Sequence, residues 1–236
     1  MKRLMTVTIY SIAMGYVEAA VVIYLREMLF ANPRQLFPLR ALDPQLAMVE
    51  IVREAMTIIM LAMVAILAGK KKFDRSMYFI YAFAVWDIFY YVFLRAAVGW
   101  PPSFTTFDVL FLIPVMWVGP VIAPLMIAAL LAFASASLIV LHGRVPDISI
   151  RGVDIVIFVV GCVLALYSFT AGVFHILNVS GPKGLESYTP KTYDWMLFFI
   201  GYLSICAAVF RTLTDSFHKL RSASPNTTGD RPYKVN

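Results

Sequence analysis

The chain has 236 residues, of which 61% are hydrophobic and 14% are charged, and its mean hydropathy is +0.78. Soluble domains are about 45–50% apolar and about 25% charged, so this composition indicates a membrane protein and excludes a disordered or fibrous chain. Its two cysteines exclude a disulfide scaffold and a cysteine-rich zinc module. The net charge of +6 arises from basic clusters between apolar runs, which is typical of membrane proteins and not of nucleic-acid-binding proteins.

The apolar residues form six runs that are long enough to cross a bilayer, for which a helix needs about 20 residues. We therefore predict an all-α, polytopic membrane protein whose transmembrane bundle comprises residues 1–214. The predicted spans are 4–29, 46–69, 76–98, 120–141, 153–178 and 194–213. Residues 215–236 are polar, and we expect them to form a disordered cytoplasmic tail.

The first run could instead be a cleaved signal peptide, because Lys2, Arg3 and the small residues near Ala20 fit one. The apolar stretch continues to Leu25, however, which a cleaved signal does not need. We therefore favour an uncleaved first helix.

The fourth run, residues 107–141, is too long for one crossing and too short for two. Pro114, Gly119 and Pro120 interrupt its first half. We predict a re-entrant or interfacial half-helix over 107–119, followed by one span from about Pro120. Non-helical backbone at membrane depth is tolerated only beside protein or a water-filled cavity, so this segment points to a polar site nearby.

The distribution of basic residues predicts that both termini lie in the cytoplasm. With this orientation, thirteen basic residues lie inside, namely Lys2, Arg3, Lys70, Lys71, Lys72, Arg75, Arg144, Arg151, Arg211, Lys219, Arg221, Arg231 and Lys234. The outer loops hold four, which are Arg34, Arg40, Lys183 and Lys191. This bias satisfies the positive-inside rule.

Charged side chains within a bilayer are costly, and they usually face a bundle interior or a cavity. In the predicted orientation the strongly polar groups fall in the outer half of the spans. The candidates for a pocket or an ion-binding site are Glu18, Glu50, Arg53, Glu54, Asp87, Tyr90, Arg95, Asp108 and His175. Helical spacing places Glu50 and Glu54 on one face, with Arg53 beside them.

We expect Glu18, Glu54 and Asp87 to form a mid-depth proton or cation site. Glu50 and Asp108 would form its outer vestibule, and Arg53 and Arg95 would tune its charge. Five carboxylates exceed what these two arginines neutralise, so we expect shared protons or a bound hard cation. Of the aromatic residues, Tyr90 shares a face with Asp87, whereas Trp100 is predicted to lie at the lipid interface.

The sequence predicts neither a zinc or copper site nor a cofactor. His175 has no second His or Cys in the outer half, and hard oxygen ligands suit a proton or a hard cation better than zinc or copper. The sequence contains no phosphate-binding loop, dinucleotide fingerprint, serine nucleophile elbow or HExxH motif.

Three functional hypotheses follow, and whether the protein is an enzyme stays open. The first is a small transporter, or an ion- or proton-coupled protein of the cell inner (plasma) membrane, because interrupted helices beside a polar midplane site are typical of transporters. The second is an intramembrane enzyme that acts on a lipid or isoprenoid head group by acid–base catalysis. The third is a non-catalytic membrane subunit or assembly factor. The inner half shows no polar exit path, which a homo-oligomer could supply.

Overall fold

The computed structural model describes residues 1–30, 32, 34–39, 43–144 and 150–223. Its helices are α1 (Lys2–Leu29), α2 (Pro44–Ala68), α3 (Lys72–Val98), α4 (Ile122–His142), α5 (Gly152–Ser180) and α6 (Trp195–Ala223). All six are long and apolar enough to cross a membrane, which confirms the prediction of a multi-pass, all-α membrane protein. Two short strands, β1 (Phe107–Phe111) and β2 (Trp117–Pro120), and a 3₁₀ helix, Pro182–Ser187, complete the described fold.

The prediction of a half-helix over 107–119 is wrong, because this segment is a β-hairpin. β1 and β2 pair antiparallel, with Phe107 opposite Pro120 and Val109 opposite Val118. The proline and glycine that interrupt the run disfavour a helix, whereas the aromatic and β-branched residues of β1 favour a strand. Pairing between the strands satisfies backbone groups that a bilayer interior would otherwise leave without partners.

The hairpin enters the bundle at one end, where α1 finishes and α2 begins; we call this the cavity end. At the far end of β1, the ring of Phe111 lies 6.4 Å from the ring of Trp86 on α3, measured between centroids. Trp86 lies twelve residues before the last residue of α3, which corresponds to about 18 Å of helix. The tip of the hairpin therefore reaches well below the end of the bundle.

Helix α3 is the central element, and it packs against α1, α2 and α4. Helices α5 and α6 form a close pair, and α6 joins this pair to α4. Two glycines permit the close crossing of α5 and α6, because a Cβ atom on Gly161 would lie only 2.8 Å from the carbonyl oxygen of Gly201.

The outer faces of the helices carry large apolar side chains. Examples are Met56 and Met63 on α2, which are 48% and 49% exposed, and Val156 and Val163 on α5, which are 61% and 57% exposed. Monomeric soluble proteins rarely expose contiguous apolar surface of this kind. The exposed faces therefore suit contact with lipid.

The last helix is longer than the predicted span, because α6 continues to Ala223. Residues 215–223 are thus helical, although we expected them to begin the polar tail. An ion pair of 2.8 Å joins Asp215 to Arg151, the residue before α5, and Ser216 is buried. The remaining residues of the predicted tail, 224–236, lie outside the described residues.

Candidate functional site

The start of α2 sets the depth of its acidic residues. The side chain of Asp43 accepts a hydrogen bond from the backbone N–H of Gln45 at 2.9 Å, and Pro44 occupies the first turn. Both features favour a helix that begins here. Glu50 and Glu54 then follow six and ten residues along the helix, at about 9 and 15 Å from its start.

Arg53 joins carboxylates from two helices. Its Nε atom donates to Oε2 of Glu50 at 2.8 Å, and its Nη1 atom donates to Oε1 of Glu18 on α1. The hydroxyl of Thr57 donates to the other oxygen of Glu18 at 3.5 Å. Glu18 and Glu50 are both buried, so one guanidinium is shared by two carboxylates that are shielded from water, and it balances the charge of only one of them.

Glu54 differs from Glu18 and Glu50, because its hydrogen-bond donor is a backbone N–H group and not a guanidinium. The N–H of Leu112, at the hairpin tip, donates to Oε2 of Glu54 at 2.9 Å and lies 3.2 Å from Oε1. The side chain of Glu54 has no basic nitrogen within 4.0 Å among residues that the structure describes. This carboxylate therefore satisfies a backbone donor that the hairpin leaves unpaired. Arg53 acts on its charge only from beyond ion-pair distance.

A second ion pair lies nearer the cavity end. Nη2 of Arg26 donates to Oδ1 of Asp108 on β1 at 3.0 Å, and the hydroxyl of Tyr91 donates to Oδ2 at 3.1 Å. Arg26 is 4% exposed and Asp108 is 1% exposed. The guanidinium of Arg26 also lies over the ring of Trp100, 3.8 Å from its centroid.

Arg26 is a member of the site that sequence reasoning missed, and Trp100 was predicted in the wrong place. Trp100 is 1% exposed, so the prediction that it lies at the lipid interface is wrong. Its ring is enclosed because it packs beside Tyr91 and under the guanidinium of Arg26. The only sequence signal was the opposite charge of Arg26 and Asp108, which are 82 positions apart.

Asp87 belongs with Asp108 and not with Glu18 and Glu54. The charged group that acts most strongly on Asp87 is Asp108. Tyr90 is within electrostatic reach of Glu18 as well as of Asp87 and Asp108. The structure thus brings Glu18, Glu50, Arg53 and Glu54 together, and holds Asp87 and Asp108 in a neighbouring group.

Two predicted site residues lie elsewhere. Arg95 is exposed, and its Nη1 atom donates to the carbonyl oxygens of Gly99 and Pro101, both at 2.7 Å. It therefore stabilises the end of α3 instead of tuning the charge of the carboxylates. His175 is exposed on α5 and does not line the cavity described next.

A cavity of about 530 Å³ is lined by two of these ion pairs, Arg53 with Glu50 and Arg26 with Asp108. It is bounded by α1, α2, the hairpin, the last turns of α5 and the 3₁₀ helix. Its charged and phenolic lining residues are Arg26, Glu50, Arg53, Glu54, Tyr90 and Asp108. The rest of the lining is mostly aliphatic, and it includes Leu25, Ile51, Leu112, Val173 and Leu177.

The donor set does not favour a metal ion. In the part of the chain that the structure describes, no three His, Cys, Asp or Glu side chains are arranged to hold one. Arg53 lies between the carboxylates of Glu18 and Glu50, where a cation would otherwise sit.

Comparison of the chain with family models, with curated proteins and with solved structures finds no match.

Proposed function

We propose that the protein binds an amphiphilic molecule taken from one leaflet of the bilayer. The observation that carries this proposal is the mixed lining of the cavity, in which a minority of charged groups faces aliphatic side chains. Its volume of about 530 Å³ lies within the range of about 300–1,000 Å³ that is usual for small-molecule sites. The hydrocarbon part of the ligand packs against residues such as Ile51 and Leu177, and its polar part lies among the charged side chains.

Glu54 is the residue best suited to chemistry on the bound molecule. Glu50 and Asp108 are each paired with an arginine, whereas Glu54 accepts only a backbone N–H. A carboxylate without a paired cation can take up and return a proton, which is the requirement for general acid–base catalysis. Tyr90 also lines the cavity, and this arrangement supports an intramembrane enzyme that acts on the polar part of an amphiphile.

Filling the cavity tests the proposal. Leu177→Trp adds volume at a lining position, and we expect it to abolish saturable binding of decanol to the protein in phosphatidylcholine nanodiscs. Phe174→Trp makes a similar change on the exposed face of the same helix and should leave binding unchanged. If Leu177→Trp, once shown to be folded, binds decanol as the parent does, the cavity is not the binding site.

A second candidate is proton-coupled transport, and the charge imbalance favours it. Five carboxylates, of Glu18, Glu50, Glu54, Asp87 and Asp108, adjoin two arginines, Arg26 and Arg53. The excess negative charge in a poorly hydrated site must be balanced by protons or cations. Transport also requires a route to the opposite face, and the lining residues all lie toward the cavity end of their helices.

Proteoliposomes separate this candidate from the first. A transporter would dissipate an imposed pH gradient, measured with an enclosed pH-sensitive dye, and Glu54→Gln would stop it. Glu27→Gln changes an exposed carboxylate on α1 and serves as the control. Proton flux no faster than that of protein-free liposomes, in a preparation that still binds decanol, would exclude transport and keep the binding proposal.

A further inference from the structure

We propose that the ligand's polar group is a primary ammonium, so that the preferred ligand is an amphiphilic amine; this inference rests on the proposed function. The grounds are the charge balance of the cavity wall, the open acceptor positions of Glu54, and the engagement of both arginines by carboxylates.

The wall of the cavity carries more carboxylates than arginines. Of the three lining carboxylates, Glu50 is paired with Arg53 and Asp108 is paired with Arg26, which leaves Glu54 without an ion pair among the described residues. Behind the lining, Glu18 shares Arg53 with Glu50, and Asp87 adds a further carboxylate beside Asp108. A ligand that carries a positive charge would therefore balance the excess negative charge of the wall, whereas an anionic ligand would increase that excess.

Glu54 also has unused acceptor capacity that faces the cavity. It is 7% exposed, and in the described part of the chain its two oxygens share a single donor, the N–H of Leu112. An ionised carboxylate offers about four acceptor positions. A primary ammonium brings three N–H donors, so it can supply both the hydrogen bonds and the charge that Glu54 lacks.

One nitrogen of Arg26 lacks a hydrogen-bond acceptor within the described ranges, which would favour an anionic ligand, but the surroundings of this guanidinium explain it in another way. Nη1 of Arg26 is buried and has no hydrogen-bond acceptor among the described residues. The guanidinium lies 3.8 Å from the centroid of the Trp100 ring, however, and the face of an indole ring attracts a cation. The positive charge of Arg26 is thus stabilised by the ring of Trp100 and by the carboxylate of Asp108.

Three probes with the same ten-carbon chain test the proposal. Decylamine, decanol and decanoate are bound to the full-length protein in phosphatidylcholine nanodiscs, and binding to empty nanodiscs is subtracted. The part that Leu177→Trp abolishes is taken as cavity binding. We expect decylamine to bind at least about tenfold more tightly than decanol, the size of effect that a charged hydrogen bond gives, and decanoate to bind most weakly.

The outcomes separate this inference from the function on which it rests. Equal affinities for decylamine and decanol, or tighter binding of decanoate, would overturn the ammonium proposal and leave amphiphile binding intact. Absence of cavity binding by all three probes would overturn both.

A variant then locates the ammonium. Glu54→Gln keeps an acceptor oxygen but removes the charge, so it should lower the affinity for decylamine to that for decanol, with both affinities measured on the same variant. Glu27→Gln is the matched control and should preserve the preference for the amine. An unchanged preference in Glu54→Gln would contradict the role of Glu54, and the three-probe comparison on the parent protein decides the ligand class even if that variant does not fold.

Discussion

Arg53 is the side chain that connects most of the buried charge in the site. It bonds to Glu18 on α1 and to Glu50 within α2, so its loss would leave two buried carboxylates without a cation. Removing one partner of a buried ion pair is far more costly than replacing the whole group by neutral residues. This difference allows the role of the cluster in stability to be measured.

We therefore predict that Arg53→Met destabilises the protein by about 3 kcal/mol or more. Adding Glu18→Gln and Glu50→Gln to Arg53→Met should recover most of the loss, because the unpaired charges are then absent. Denaturant unfolding in mixed micelles measures both differences. A single variant as stable as the parent would show that the ion pairs do not hold α1 to α2.

The sequence predicts the residues of this cluster better than their partners. Spacing along α2 predicts Glu50, Arg53 and Glu54 near one another, because helical geometry is local, and all three line the cavity. Arg26 could not be predicted in the same way, since a basic residue near a helix end usually extends to the membrane surface. Its pairing with Asp108 depends on where the hairpin packs, and no local pattern encodes that position.

Among the elements, the hairpin contributes most to the site. Asp108 lies on its first strand, and the N–H of Leu112 at its tip binds Glu54. The sequence predicts an interruption of the fourth apolar run, because proline and glycine signal one. It does not predict a hairpin inside a helical bundle, because the contacts that hold the hairpin there involve Arg26 and Glu54, which lie far away in the sequence.

The pairing of α5 and α6 gives a prediction at the same scale. Gly161→Ala would place a Cβ atom 2.8 Å from the carbonyl oxygen of Gly201, and we expect a loss of about 1–3 kcal/mol from this overpacking. Gly152→Ala meets no atom within 4 Å, so it should be neutral or slightly stabilising. Thermal unfolding of the two variants, measured side by side, checks this contrast. Equal stability of the two variants would show that the close crossing of α5 and α6 at Gly161 does not contribute to stability.

For the whole molecule, the sequence predicts the number and approximate bounds of the membrane-spanning helices, because hydropathy and length determine them. The orientation of the protein in the membrane stays a prediction from the positive-inside rule. Three of the charges used for it, Arg40, Arg231 and Lys234, lie outside the described residues. The cavity end faces outward if the rule holds for this chain.

Cysteine labelling tests this orientation in a background without Cys162 and Cys206. We predict that Lys183→Cys reacts with a membrane-impermeant maleimide on intact cells. Lys71→Cys should react only after the membrane is permeabilised. The opposite pattern would place the cavity on the cytoplasmic side.

The central claim is that the cavity between α1, α2, α5 and the hairpin holds an amphiphile whose polar part lies against the charged wall. An experimental structure of the protein in lipid nanodiscs tests it most directly. We predict elongated density along Leu25, Ile51 and Leu177 that ends beside Glu54. A cavity closed by movement of the hairpin tip, with Glu54 turned away from it, would contradict the claim.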